Sequence, residues 1–220
     1  MQKHDRTCSI DWLCLLIFTD KPALSRHNET AIAKISDSVI IGVTITSSTP
    51  ALLSLRWSKD SQTISGSRYH GGTIGIPSLT INNVGATDDG TYTCYIDNGV
   101  GQASVDINLF TWNTPSVSLY GKQNLAVGSV VVLQCRVTSK PKVKHITWKK
   151  ETVPINFSDK TKYQRFGSLQ TQVLKIFDAQ ETDKGTYSCD AYHDYDTGTN
   201  TEEINVGGTY ILDRHLILNI

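Results

Sequence analysis

One sequence pattern occurs twice in this chain of 220 residues. The first copy runs from Leu79 to Cys94, and its Leu-x-Ile and Asp-x-Gly-x-Tyr-x-Cys positions recur from Leu174 to Cys189, at an offset of 95 residues. A repeat of this length is the size of a small domain and is much longer than the unit of a solenoid. The sequence therefore predicts two copies of one domain in tandem.

Stretches around the repeat alternate between apolar and polar residues, which is the period of a β-strand with one buried face. Turn pairs such as Asp89-Gly90 and Lys184-Gly185 separate these stretches. Because no stretch sustains the 3.6-residue apolar period of a helix, the sequence predicts an all-β fold. The clearest alternating runs are Val39, Ile41, Val43 and Ile45 in the first copy and Val131, Leu133, Cys135 and Val137 in the second.

One tryptophan lies between these strands in each copy, Trp57 in the first and Trp148 in the second. The second copy has the order Cys135, Trp148, Cys189, and its Asp-x-Gly-x-Tyr-x-Cys segment ends at the last cysteine. This order resembles the immunoglobulin superfamily over residues 22–206.

The segment Asn98-Gly-Val-Gly101 is similar to the hairpin between strands F and G of I-set immunoglobulin domains. The resemblance implies two tandem immunoglobulin-like antiparallel β-sandwiches of Greek-key topology, similar to units of hemicentin and titin arrays. The expected domains are residues 22–111 and 112–206. Residues 1–21 form an N-terminal segment that is either a degraded secretion signal or a disordered tail, and residues 207–220 form a C-terminal tail.

The resemblance also implies structural roles for individual residues. A disulfide joins the two sheets of such a domain, a tryptophan packs on it, and a tyrosine near the second cysteine bonds back to the backbone. A basic residue usually holds the structural aspartate, and Arg68 and Arg165 are candidates for this role. The implied residues are the disulfide pair Cys135 and Cys189 with Trp148, Tyr187 and Asp183 in the second domain, and Trp57, Tyr92, Cys94 and Asp88 in the first.

The first domain departs from this pattern, because an overlay of the two copies puts Val43 at the position of the first cysteine. Cys94 then has two alternatives. It either packs as a buried thiol against Val43 or pairs with Cys8 or Cys14 of the N-terminal segment. Because a native disulfide typically stabilises a domain by about 2–5 kcal/mol, the first domain is expected to be the less stable one.

Two tripeptides are acceptors for N-linked glycans, Asn28-Glu-Thr30 and Asn156-Phe-Ser158. Asn156 is the better candidate, since it lies in a polar segment between strand-like runs. The lysine-rich stretch from Lys140 to Lys150 either meets an acidic partner or is a solvated, charged strand edge.

The segment after Cys189 is expected to form a longer loop than its counterpart in the first domain, and it carries two tyrosines. Tyrosine gives a large contact area at a low entropic cost, so Tyr192, His193, Asp194 and Tyr195 are candidate binding residues. The alternative is a solvated hairpin. Neighbouring residues of one turn seldom converge on a metal ion, and we expect no metal site here.

The composition and the motifs of the sequence narrow the range of functions that this chain can have. The 21 basic and 21 acidic residues balance, which gives no electrostatic reason to expect nucleic acid as a partner. Motifs of nucleophile elbows, phosphate-binding loops and zinc sites are missing from the sequence, so we expect no enzyme and no cofactor. No run of residues is long and apolar enough to span a membrane.

The sequence favours an extracellular or cell-surface module for adhesion or recognition. Its partner would be a protein, either a second copy or another immunoglobulin-like chain. An intracellular scaffold of the titin type is an alternative, because such domains often lack the disulfide, as the first domain does here. A fragment of the ectodomain of a signalling receptor is another.

Overall fold

The computed structural model describes residues 20–207, which form two compact units. The boundary between the units in the chain lies between Thr111 and Trp112. Both units are built from β-strands, with one short 3-10 turn each, Ala86–Asp88 and Glu181–Asp183. Within the described residues no helix has the length and apolar character needed to cross a membrane. The two predicted terminal segments fall almost entirely outside the described residues, as do Cys8 and Cys14.

Unit 1 is a sandwich of antiparallel strands. One layer contains the pairs β1–β4, β3–β8 and β8–β7, and the other contains the strand order β6-β5-β9-β10, with β2 added on β10. The strands are β1 (Asp20–Arg26), β2 (Thr30–Lys34), β3 (Val39–Ile41), β4 (Val43–Thr49), β5 (Ser54–Lys59), β6 (Gln62–Thr63), β7 (Tyr69–Gly71), β8 (Leu79–Ile81), β9 (Gly90–Asp97) and the first half of β10 (Gln102–Gly121).

The predicted strand through Val43 is interrupted, because it is divided between β3 and β4 at Gly42. A side chain at Gly42 would collide with the ring of His27, 2.2 Å away. Pro77 in the facing segment has no backbone N–H to continue the ladder, and the Ser78 hydroxyl substitutes for it. It donates a hydrogen bond to the Val43 carbonyl oxygen at 3.3 Å, and its Oγ also accepts one from the Val43 N–H at 3.1 Å.

Unit 2 has the same two-layer arrangement. One layer has the order β15-β16-β12-β10 and the other the order β11-β18-β17-β13-β14, in which β11 runs parallel to β18. The strands are the second half of β10, β11 (Asn124–Leu125), β12 (Val131–Lys140), β13 (His145–Lys150), β14 (Val153–Pro154), β15 (Tyr163–Gly167), β16 (Thr171–Ile176), β17 (Gly185–Tyr192) and β18 (Thr197–Val206).

Each unit buries its own hydrophobic core between the two layers. The strand registers confirm the overlay of the copies. Val39 faces Ile81 in unit 1 as Val131 faces Ile176 in unit 2, so that Val43 takes the position of Cys135. Burial of apolar side chains on both inner faces is the main term that stabilises such a sandwich.

Candidate functional site

The core of unit 2 is joined across its layers by a disulfide between Cys135 and Cys189, with a Cα–Cα distance of 6.3 Å. Both cysteines are fully buried. Trp148 lies directly opposite Cys189 in the register of β13 and β17, and its indole N–H donates a hydrogen bond of 2.6 Å to Oε1 of Gln172. Gln172, which the sequence did not single out, thus satisfies the one polar atom of the buried indole.

Unit 1 has the same arrangement without the bridge. Trp57 lies opposite Cys94, and its indole N–H donates to the carbonyl oxygen of Pro77 at 3.0 Å. Val43 and Cys94 are both buried in the same apolar cluster, and Cys94 is a free thiol. Burial raises the pKa of Cys94 to about 12, so the sulfur is a neutral, unreactive packing group near pH 7.

In unit 1, the tyrosine and aspartate of the repeat form one cluster with Arg68. The Tyr92 hydroxyl donates to the carbonyl oxygen of Asp88 at 3.1 Å, and burial raises the pKa of this tyrosine. The Asp88 carboxylate accepts two hydrogen bonds from Arg68 and one from the Gly85 N–H at 2.7 Å. Burial alone would raise the pKa of Asp88, but Arg68 and Gly85 outweigh it and lower the value.

In unit 2, Asp183 is held by Lys162, and the expected pairing with Arg165 is wrong. Arg165 instead lies over the ring of Phe157, at 4.9 Å from the centroid. The strand register explains the difference. In each unit a tyrosine faces an isoleucine of the next strand, Tyr69 in unit 1 and Tyr163 in unit 2, and the basic partner is the residue immediately before that tyrosine. The repeated dipeptides, Arg-Tyr and Lys-Tyr, are the signal by which Lys162 could have been found.

The candidate binding loop after β17 has the same length as its counterpart, and the expectation of a longer loop is wrong. Residues 193–196 connect β17 to β18, as residues 98–101 connect β9 to β10. The backbone closes both turns identically, from the His193 N–H to the carbonyl oxygen of Asp196 and from the Asn98 N–H to that of Gly101.

His193 lies inside this loop, with only 5% of its surface exposed. Its Nδ1 accepts hydrogen bonds from the N–H groups of Tyr195 and Asp196, and its Nε2 lies 2.9 Å from the carbonyl oxygen of Asn113, to which it donates. His193 therefore supports the loop from within and is not placed to touch a partner.

Two tyrosines are partly exposed here, Tyr192 at the end of β17 with 40% of it accessible, and Tyr195 within the loop with 38%. The Tyr195 ring is stacked on Trp112 at 5.6 Å, and the Tyr192 ring packs against His145 at 5.1 Å. Trp112 was not predicted as part of this site. Both tyrosines are therefore held in place before any partner binds.

The acidic residues of the loop are each engaged by a different group. Asp194 forms an ion pair with Lys144 at 2.6 Å, and Asp196 accepts a hydrogen bond from the Thr114 hydroxyl. The side chains of His193, Asp194 and Asp196 therefore contact three different groups of the chain and do not converge on one point. Within residues 20–207 no cluster of side chains is suited to hold a metal ion.

Both predicted glycan acceptors are exposed and lie in loops. Asn28 is in the connection between β1 and β2, and Asn156 follows β14. The Asn156 side chain accepts a hydrogen bond from the Ser158 N–H at 2.9 Å, which fixes the acceptor tripeptide in a turn.

Comparisons with known proteins agree with this geometry. A family model of the immunoglobulin I-set domain matches residues 22–110 and 117–206. Roundabout homolog 1 of Mus musculus is 30% identical over 166 residues, which are 74% of this chain and 9% of that protein. Hemicentin-1 of Mus musculus is 32% identical over 117 residues, 52% of this chain and 2% of that protein.

An I-band fragment of titin has the same fold, with a TM-score of 0.65 at 21% identity, over 86% of this chain and 66% of the fragment. The chain spans a small part of the length of the curated relatives that it matches. These likenesses therefore concern the two units and not the whole of any relative.

Proposed function

Because this chain belongs to the immunoglobulin I-set domain family, we propose that its two domains, residues 22–111 and 112–206, form an extracellular recognition module that binds another protein. The contact surface in this proposal is the loop after β17, with Tyr192 and Tyr195 at its centre. The partner is either a second copy of the chain or another immunoglobulin-like protein. A receptor ectodomain would use the same surface in the same way.

The disulfide of unit 2 carries the extracellular part of the proposal. Disulfides persist in oxidising compartments and are rare in the cytosol, where thiols are kept reduced. The exposed acceptor Asn156 supports the same compartment, since glycans are added to asparagine in exposed loops of secreted proteins. The second candidate, an intracellular scaffold of the titin type, is supported by unit 1, whose Cys94 is a free thiol.

Alkylation of the protein isolated from its native source, with and without prior reduction, separates these two functions. The extracellular module is expected to show Cys135 and Cys189 protected from alkylation until it is reduced, and a glycan mass on the peptide that contains Asn156. Free thiols at both cysteines would refute it and leave the scaffold.

A binding assay tests the loop. Fluorescent tetramers of the chain are applied to cells of the source tissue, and self-association is followed by analytical ultracentrifugation. Replacing Tyr192 and Tyr195 by serine should abolish whichever binding the wild type shows, because aromatic anchors often contribute more than 1 kcal/mol each. The control is Ile40→Ser, which removes an even more exposed apolar side chain from unit 1. Equal loss in the control and in the tyrosine variant would contradict the proposed surface.

A further inference from the structure

A groove of about 710 Å³ runs along one end of unit 2, between the turn that joins β15 to β16 and the connection from β12 to β13. Arg136 and Lys142 contribute cations to it, and Val137, Val143 and Leu169 contribute apolar surface. A smaller cavity with Arg165 in its lining adjoins it, since Leu169 lines both. Neither lining, both of which lie within residues 20–207, includes an aspartate or a glutamate.

The cations of this groove differ from neighbouring lysines in whether a carboxylate neutralises their charge. Lys144 and Lys149 form ion pairs with carboxylates of β17 and the following loop, at 2.6 Å each. Within the described part of the chain, Arg136 and Lys142 form no ion pair, and the Arg136 guanidinium lies 5.9 Å from the centre of the Tyr120 ring. Two lysines of the lysine-rich stretch are therefore neutralised by carboxylates, whereas Arg136 and Lys142 bring positive charge without an ion pair to the groove.

Leu169 lies at the tip of the turn between β15 and β16, and 38% of it is exposed. The turn is rigid. The Ser168 N–H donates to the carbonyl oxygen of Thr171 at 2.9 Å, and the Ser168 hydroxyl accepts from two backbone N–H groups of the same turn. Gly167 adopts a positive φ of 96°, and a side chain there would lie 2.3 Å from the Thr171 carbonyl oxygen. The fold thus holds an apolar residue beside two unneutralised cations.

We propose that this groove binds an acidic segment of a partner protein that carries one apolar residue. Carboxylates of the segment face Arg136 and Lys142, and its apolar side chain packs on Leu169 and the aliphatic wall. A sulfated polysaccharide would match the cations but has no use for the apolar wall, so the observations favour a peptide. The inference rests on the proposed recognition function and names the chemistry of the partner. The groove lies near the tyrosine loop, since Lys144, which follows the groove residue Val143 in the chain, pairs with Asp194 of that loop.

Fluorescence anisotropy of the full chain with three synthetic probes tests this. The first probe is a panel of labelled peptides that each carry one leucine or phenylalanine among aspartates and glutamates. The second has amides in place of every carboxylate, and the third is a heparin oligosaccharide. The variants are the double charge reversal Arg136→Glu/Lys142→Glu and the change Leu169→Ser. The control, Lys122→Glu/Lys184→Glu, alters the net charge equally at two exposed lysines outside the groove, and thermal unfolding verifies that every variant is folded.

We expect the acidic peptides to bind the wild type and to bind more weakly as salt rises. The double reversal should weaken binding at least about tenfold, which corresponds to about 1.4 kcal/mol, whereas the control should bind like the wild type. Leu169→Ser should weaken the peptides without affecting heparin. Failure of the acidic peptides to bind, equal binding of the amide peptides, or binding of heparin alone would overturn the proposal.

The cell-binding assay separates this inference from the function on which it rests. If the groove variants bind cells as the wild type does while the tyrosine variant does not, the groove proposal is wrong and the recognition function stands. If the wild type binds neither cells nor itself, the recognition function fails, whatever the peptides show.

Discussion

Replacing Val43 by cysteine should give unit 1 the disulfide that it lacks. The strand registers put Val43 at the position that Cys135 holds in unit 2, and Cys94 lies opposite Trp57 as Cys189 lies opposite Trp148. Both Val43 and Cys94 are buried in one apolar cluster. Since Cys94 is already a free thiol on the inner face, one substitution is enough to supply the partner.

The size of the effect follows from the loop that the new bridge closes. That loop is nearly as long as the one closed by the native bridge, whose cysteines are 54 residues apart. Loop closure of this length is worth about 4 kcal/mol in the chain-entropy model. Exchanging valine for cysteine costs about 1 kcal/mol in lost packing. The net gain of about 3 kcal/mol should raise the melting temperature of unit 1 by about 10–20 °C.

Calorimetry of the whole chain measures this shift, and alkylation without reduction shows whether the bridge has formed. The matched control, Val43→Cys with Cys94→Ala, has the new thiol but no partner, and it should be less stable than the wild type. If Val43→Cys leaves both thiols open to alkylation after unfolding, the equivalence of Val43 and Cys135 is refuted. If the bridge forms and unit 1 still melts at the same temperature, the assumed gain from loop closure is wrong.

Substitutions at three further positions test individual contacts by chemical denaturation. Asp88→Asn should cost about 2 kcal/mol at pH 7, because it removes the negative charge that pairs with Arg68. Because the folded pKa of Asp88 is lowered, the wild type loses this advantage as the pH falls through that pKa, and a cost that persists unchanged in acid would refute the pairing. Gln172→Leu should cost about 1–3 kcal/mol by leaving the buried Trp148 N–H without an acceptor, whereas an unchanged midpoint would show that another acceptor replaces it. His193→Asn should keep both the loop and its binding, because asparagine makes the same contacts at this position in unit 1. His193→Ala removes the acceptor of two loop N–H groups and should destabilise unit 2 by about 1–3 kcal/mol. Equal stability of the two variants would contradict a supporting role.

Features that depend on the repeat could be predicted from the sequence, and features that depend on side-chain pairing could not. Offsets and alternation suffice to predict the all-β fold, because every strand in the sandwich has to bury one face. The resemblance to the immunoglobulin superfamily implies the place of Trp148 beside the cysteines. The prediction of Arg165 as the partner of Asp183 was wrong, because the spacing between the basic residue and the aspartate differs by one position between the units. The break at Gly42 depends on Pro77, whose missing N–H matters only once the facing strand is known.

The exposed site was the hardest part to predict, because loops of equal length in the two units are supported by different residues at one position. Asn98 in unit 1 accepts hydrogen bonds from the N–H groups of two following residues and donates to the carbonyl oxygen of Asp20. His193, at the same offset of 95 residues, makes the same three contacts in unit 2. The sequence alone shows His193 as a histidine among acidic residues and tyrosines, and such a pattern is typical of a binding site or a metal site.

This equivalence also indicates why unit 2 is the better candidate for recognition. The imidazole ring fills more of the turn than a carboxamide does, and it lies edge-on to both Trp112 and Tyr195. The same strand that leads into the loop is fixed by the disulfide at Cys189, three residues before Tyr192. An aromatic surface built on a bridged strand loses little conformational entropy when a partner binds, whereas the hairpin of unit 1 has neither the aromatic stack nor the bridge beneath it.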